Sequence, residues 1–285
     1  MNRRILVTGS KGFVGSHLVT ALANVGFEVV GFDLEQGNIL NYQFHLASIS
    51  HVFHLAARTF VPASWEEPFE FYKTNLLGTL NVLDACRISG CSLTYLNAYP
   101  YGQPLNNPIN EDHPISATTP YNHSKILAED LCRFYSEKFN LSIVILRTFN
   151  LFGPGQNETF LIPHIIRQTL DPKIDVITVR DLRPKRDYLY IEDAVQAMIL
   201  SYGHKGFYIY NLGSGNSYNV EDIINNVQQV LKIEKKYISL KQERKGEILD
   251  MVADISKIEK ELGWQPKISF NEGIRKTIEV IKREY

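Results

Sequence analysis

The sequence predicts a doubly wound, mainly parallel α/β fold followed by a smaller α+β region, and three observations carry that prediction. Short β-branched runs alternate with longer segments of helical period from residue 5 to residue 148. A glycine-rich turn joins the first such run to the first helical segment. At Gly153-Pro154-Gly155 the alternation breaks, and shorter elements follow, punctuated by Pro163, Pro172, Pro184 and Pro266.

Taken in order, Ile5-Leu6-Val7-Thr8 is an apolar run of strand length, suited to burial on both faces. Phe13 to Val25 repeats apolar residues at Val14, Leu18, Leu22 and Val25, one side of a helix, and Glu28 to Asp33 reads as a second strand ending in a carboxylate. This is one βαβ unit. His51-Val52-Phe53-His54, Leu93-Thr94-Tyr95-Leu96 and Ile143-Val144-Ile145-Leu146 read as three more buried strands, with helices near residues 66–89 and 121–139 between them. Beyond Gly153, helices are expected over Val195 to Tyr202, Val220 to Leu231 and Glu272 to Lys282, and strands over Ile174 to Val179 and Phe207 to Tyr210. The expected division is residues 1–152 and residues 153–285, with some segments of the second part returning to the first.

Composition narrows the function classes. With 285 residues, 44% of them hydrophobic, the chain can build one large core or two that share a boundary, so disorder is excluded. Lys and Arg number 30 against 31 Asp and Glu, and no basic cluster stands out, so nucleic acid and anionic membranes are not expected partners. Cys86, Cys91 and Cys132 are odd in number and lack paired metal spacing; buried thiols in a reducing cytoplasm are the expectation, with no metal site. The N-terminal apolar run is too short for a signal-peptide core, and no stretch approaches the roughly 20 apolar residues of a membrane span.

Two motifs carry chemistry. In Gly9-Ser10-Lys11-Gly12-Phe13-Val14-Gly15 the glycines let backbone N–H groups approach a pyrophosphate at the positive end of a helix. Asp33 ends the next strand 18 residues after Gly15, where a carboxylate accepts hydrogen bonds from adenosine ribose hydroxyls and repels a 2′-phosphate. The combination points to a Rossmann-type site for NAD, with NADP disfavoured. Tyr121 and Lys125 lie four residues apart at the start of a helix and so share a face. An ammonium close to a phenol favours the phenolate, which can then exchange a proton with a carbinol or ketone while hydride moves to or from a nicotinamide.

With these motifs in this order the chain resembles the extended short-chain dehydrogenase/reductases, in particular the nucleotide-sugar epimerases, dehydratases and keto-reductases. The resemblance runs nearly end to end, through Thr8 to Gly15, His54-Leu55-Ala56-Ala57, Asn75-Leu76-Leu77-Gly78-Thr79, Tyr101-Gly102, Tyr121 to Lys125, Arg147-Thr148-Phe149-Asn150, Arg186-Asp187-Tyr188, Asn211-Leu212-Gly213-Ser214-Gly215 and Leu262-Gly263-Trp264-Gln265-Pro266. It implies that Leu55, Ala56 and Ala57 line the cofactor, that Asn75 supports it, that Phe149 lies near the nicotinamide, and that Leu34 and Ile39 lie beside the adenosine. It also implies that Arg186 and Arg244 grip a sugar-nucleotide diphosphate, that Asn150 and Tyr99 contact substrate, and that Leu161 packs on the nucleotide base. A homodimer through the helices near residues 66–89 and 121–139 is implied in the same way.

The chain departs from the family pattern at three places. Asn97 stands where most relatives have Ser or Thr; its amide can donate to a carbonyl oxygen but cannot shuttle a proton as a hydroxyl can. Asn97 is therefore a candidate catalytic residue that polarises a keto group, with Tyr99 the obvious substitute hydroxyl. Ala98 and Tyr99 stand where 4,6-dehydratases carry an Asp-Glu pair, which disfavours dehydration. Only 17 residues separate Asp33 from His51, so the usual helix and third strand there are shortened. The expected activity is NAD-dependent hydride transfer at a nucleotide-sugar carbon, C4 epimerisation first and NAD(P)H-dependent 4-keto-sugar reduction second. A non-catalytic NAD-binding sensor is the remaining reading.

Overall fold

The structure, a computed structural model, describes residues 4–243 and 247–283. β1 (Arg4–Thr8), α1 (Phe13–Asn24) and β2 (Glu28–Phe32) form the expected first unit, and β3 (His51–His54) pairs on the other side of β1. The connection from β2 to β3 contains neither helix nor strand. Instead Tyr42 and Phe44 close over Phe32 with ring centroids 4.6 and 4.9 Å away, and Ile39, Leu46 and Ile49 are drawn into the core.

The single helix expected over residues 66–89 is broken into pieces. α2 (Val61–Glu66) and α3 (Pro68–Phe71) are each opened by a proline, Pro62 and Pro68, whose fixed φ suits a first turn and whose missing N–H ends the helix before it. A π-helical stretch, Tyr72–Leu77, then runs into α4 (Gly78–Ser89). Such wide turns are uncommon and concentrate at functional sites, and this one carries the buried Asn75. β4 (Ser92–Ala98), α5 (Pro120–Phe139) and β5 (Ile143–Thr148) complete the doubly wound part.

The remaining elements are β6 (Asn150–Phe152), α6 (Leu161–Leu170), β7 (Val176–Val179), β8 (Lys185–Tyr190), α7 (Ile191–Ser201), β9 (Phe207–Leu212), β10 (Ser217–Asn219), α8 (Val220–Leu231), β11 (Lys236–Ser239), α9 (Ser256–Leu262) and α10 (Phe270–Ile281). β9 is not part of a separate sheet. It pairs in parallel with β5 and extends the main sheet, whose six strands run β2-β1-β3-β4-β5-β9. Two small sheets, β10-β8-β6 and β11-β7, lie outside it.

Alternate strand residues serve opposite faces. Ile5, Val7, Val144 and Leu146 pack with Leu18 and Leu22 of α1 and Val195 and Met198 of α7. Leu6, Val52, Leu93 and Ile145 pack with Val82 and Leu83 of α4 and Ala128 of α5. The three cysteines are free and buried in this second cluster. Among the described residues no helix is long and apolar enough to cross a membrane, and no group of His, Cys, Asp and Glu could hold a metal ion.

Two histidines are locked inside the sheet. His51 bonds Ser92 Oγ at 2.7 Å and Thr94 Oγ1 at 3.0 Å, and burial lowers its pKa to about 3. His54 is likewise lowered to about 3, first by burial and then by the charge of Lys125. The folded protein refuses protons that the unfolded chain binds below about pH 6.5, so stability is fully present above that pH and is lost as pH falls toward 3. Each histidine withdraws up to about 1.4 kcal/mol per pH unit. Urea unfolding at a series of pH values should show His51→Gln with a shallower loss between about pH 6.5 and 5 than wild type. Equal slopes would show that His51 does not contribute.

Candidate active site

The phosphate-binding turn is built by close backbone approach. Gly9 has φ +71°, and a Cβ there would lie 2.8 Å from Ala56 N; a Cβ on Gly15 would lie 2.0 Å from the Gly9 carbonyl oxygen. α1 begins at Gly12 without a side-chain cap and without an acidic residue in its first turn, so its N-terminal N–H groups and positive dipole end are left for an anion. Asp33 is fixed between turn and strand: Oδ2 accepts from Lys11 N and Oδ1 from Leu34 N, each at 2.9 Å. These features fit a dinucleotide. Of the two residues expected beside the adenosine, Leu34 is 84% exposed just beyond β2, and Ile39 turns inward against Gly78, leaving it 6% exposed. The short connection to β3 needs Ile39 for its own core, which leaves little of it for an adenine ring.

Thr8 holds the next cofactor segment. Its Oγ1 accepts from Leu55 N at 3.2 Å and Ala56 N at 3.3 Å and contacts His54 Nδ1 at 2.7 Å. Thr79 donates its hydroxyl to Asn75 O at 2.6 Å and so receives the His54 Nε2 proton at 2.9 Å; Nδ1 of that tautomer accepts from Thr8. Asn75 clamps the segment to the catalytic helix, accepting from Arg58 N at 2.8 Å and donating to Arg58 O and to Ser124 Oγ at 3.1 and 3.0 Å. Ser124 in turn donates to Tyr121 O at 2.7 Å.

α5 starts where Thr119 accepts from Asn122 N at 3.0 Å and Pro120 occupies the first turn, which sets Tyr121 and Lys125 on one face. Lys125 is 4% exposed; its Nζ donates to Leu96 O at 2.8 Å and sits 4.1 Å from the Tyr95 ring centroid. Burial lowers Lys125 to about 7 and pushes Tyr121 up to about 12. Tyr121 thus needs a nearby positive charge to work as a base near neutrality.

Asn97 differs from the expectation. Its Nδ2 donates to Glu129 Oε2 at 2.6 Å and its Oδ1 accepts from Ala98 N at 2.8 Å, so the amide is part of a buried network. Glu129, one turn beyond Lys125 on α5, forms an ion pair with Arg147 through two bonds of 2.5 and 3.1 Å. Asn97, Arg147 and Asn211 are register neighbours across β4, β5 and β9. Arg147 donates to Tyr101 Oη at 2.9 Å, and Tyr101 bonds Asn211. Arg147 belongs to a segment that carries the family resemblance, but Glu129 and its pairing with Arg147 have no signal in the sequence beyond a charge closing the apolar run Ile143 to Leu146.

The residues expected to meet substrate lie on or beside the small sheet of β6, β8 and β10. Arg186 donates to Ile248 O at 2.5 Å and Lys185 O at 2.8 Å and forms an ion pair with Glu247. Asp187, fully buried, accepts from Ser214 N, Ser214 Oγ, Gly215 N and Ala253 N at 2.6 to 3.1 Å, which pins the loop after β9. Asn150 donates to Asp187 O at 3.4 Å. Tyr99 donates to Gly102 O at 2.8 Å and packs edge-on to Phe149 with centroids 5.2 Å apart. Burial, and then Tyr101, raise the Tyr99 pKa. Leu161 is the first, half-buried residue of α6. Arg244 lies outside the described residues.

The family model described as GDP-mannose 4,6 dehydratase matches residues 30–277. The chain belongs to this family. The GDP-6-deoxy-D-mannose reductase of Pseudomonas aeruginosa is 30% identical to it over 96% of each chain. The UDP-glucuronate 4-epimerase of Thermodesulfobacterium geofontis is 30% identical over 96% of this chain and 94% of its own. The structure of MoeE5 in complex with UDP-glucuronic acid and NAD superimposes with a TM-score of 0.90 at 28% identity, covering 99% of this chain and 100% of that one. The family member described here is thus an NAD-dependent enzyme of the extended short-chain dehydrogenase/reductase type. Its buried Glu129–Arg147 pair should be costly to break: Glu129→Ala is expected to lower stability by about 3–5 kcal/mol in urea unfolding, because Arg147 is left charged and unpaired.

Proposed function

We propose that this chain catalyses NAD-dependent hydride transfer at a carbon of a nucleotide-diphosphate sugar, with C4 epimerisation as the reaction the site supports best. The observation that carries the proposal is the placement of Tyr121 and Lys125 on one face of α5, clamped through Ser124 and Asn75 to the segment that lines the cofactor cleft. NAD, when bound, supplies the acceptor and donor of hydride. Tyr121 Oη takes the proton of the sugar carbinol as that carbon is oxidised and returns it on reduction. The Lys125 ammonium favours the phenolate against a burial that otherwise holds Tyr121 near 12. Gly9, Gly12, Phe13, Val14 and Gly15 are assigned to the pyrophosphate, Asp33 to the ribose, and Leu55, Ala56, Ala57 and Phe149 to the nicotinamide half. Arg186 is assigned to the substrate diphosphate, which would replace Glu247 as its anionic partner.

A second reading, reduction of a 4-keto sugar nucleotide, is favoured by one observation. The Asn97 amide is committed to Glu129, so no hydroxyl at this position relays protons in both directions. Ala98 and Tyr99 supply no carboxylate pair for dehydration. The enzyme is proposed to be cytoplasmic and to dimerise through α4 and α5, which expose Ile88, Phe134 and Phe139.

Native mass spectrometry of the purified chain separates the readings: about one retained NAD per chain supports epimerisation, and loss of the cofactor supports a reductase with exchangeable nicotinamide. Tyr121→Phe should lower kcat about 10²–10⁴-fold while leaving NAD binding intact. Full turnover in that variant would remove Tyr121 as acid/base. Arg186→Ala should raise KM for a UDP-sugar at least about tenfold, and an unchanged KM would defeat the diphosphate assignment.

A further inference from the structure

Lys125 poses a question that its pairing with Tyr121 does not answer. A lysine this deeply buried loses its proton easily, yet only the ammonium form helps Tyr121. Something inside the protein must favour the charge and fix its position. Two groups touch it: the Leu96 carbonyl at 2.8 Å and the face of the Tyr95 ring, 4.1 Å from Nζ to centroid. An aromatic face attracts a cation through its quadrupole, and the attraction grows when water is excluded. Tyr95 is 1% exposed, so it is excluded here.

We propose that Tyr95 is a positioning residue for the reaction, its ring face and the neighbouring Leu96 carbonyl together seating the Lys125 ammonium on the helix face that also carries Tyr121. The inference rests on the acid/base reading of Tyr121 and Lys125 given above. The ring is itself held in place. It stacks on His54 with centroids 5.6 Å apart and planes 26° from parallel, and His54 is bonded on one side to Thr8 and on the other to Thr79. Thr8 immediately precedes the phosphate-binding Gly9, so the cation seat and the cofactor turn share one rigid support.

Among the described residues, the titratable groups that act on Lys125 are neutral or already engaged. His54 on β3 is neutral, since burial holds its pKa near 3. Cys132 on α5 is a neutral thiol raised by burial. Tyr121 on α5 is a neutral phenol until it reacts. Glu129, also on α5, is the remaining charge that favours the ammonium, and it is already engaged by Arg147 from β5 and Asn97 from β4.

The experiment titrates Lys125 directly in the full chain with no cofactor added. Lysine carries ¹³C at Cε, the shift is followed from about pH 5 to 10, and Lys125→Met assigns the signal. Tyr95→Leu is expected to move the Lys125 midpoint about one pH unit below wild type, and Tyr95→Phe, which keeps the ring, to leave it at the wild-type position. The alkaline limb of the kcat–pH profile should move with the midpoint. Tyr95→Met repeats the test if Tyr95→Leu does not fold. An unmoved midpoint in the ring-deleting variant, or an equal shift in Tyr95→Phe, would overturn the proposal, whereas a general packing defect would lower stability without moving the midpoint. Tyr121→Phe separates the two failures. If that variant keeps turnover, the acid/base reading falls; if it is inactive while Tyr95→Leu titrates like wild type, the role of Tyr95 alone falls.

Discussion

The ion pair between Glu129 and Arg147 is the interaction on which the arrangement of the site depends. Both side chains are almost wholly removed from water, 2% and 3% exposed, so neither charge is tolerable without the other. Their geometry ties three things together. Glu129 belongs to the catalytic helix, Arg147 to the centre of the sheet, and Asn97, which shares the carboxylate, to the strand that presents Tyr95 and Leu96 to Lys125. From Arg147 the bonding continues through Tyr101 to Asn211 at the end of β9. A loop held by Asp187 starts there and leads to Arg186. Helix, sheet and substrate side therefore share one set of buried polar contacts at the carboxyl ends of the strands, where ligands bind in open α/β sheets.

That placement explains the opposed demands on the catalytic pair. Burial makes Tyr121 reluctant to ionise and Lys125 reluctant to stay charged. Water cannot resolve the conflict, so fixed dipoles and a ring must. A site of this kind is preorganised: its charge is favoured by groups that do not have to move when substrate arrives.

Much of the fold was legible in the chain because its signals are local. The runs Ile5 to Thr8 and Ile143 to Leu146 could only be strands buried on both faces, and the Gly9 to Gly15 turn announced the junction that follows. The break at Pro68 and the wide turn after it were harder, since they sit in the stretch near residues 66–89 whose period still reads as one helix. Phe207 to Leu212 reads as a strand by itself, but nothing local says which sheet it joins; its partner, β5, lies some sixty residues earlier. At the site, Asp33, Tyr121 and Lys125 were visible as candidates by spacing and motif, and Asn75 by resemblance. Tyr95 and Glu129 were not, because their roles come from cross-strand and helix-to-sheet neighbours that no short window contains. Asn97 was visible as a departure, but its bond to Glu129 was not, because that partner lies 32 residues away.

The short link from β2 to β3 also shapes how the sheet comes apart. Among the described residues β2 has a strand neighbour on one side only, and on the other it relies on a loop and the rings of Phe32, Tyr42 and Phe44. Unpaired amides on an edge strand such as this are open to exchange with solvent through local opening. Asp33 follows that same strand, so under the proposed ribose role a bound dinucleotide fastens this edge, and occupancy and the integrity of the edge rise and fall together.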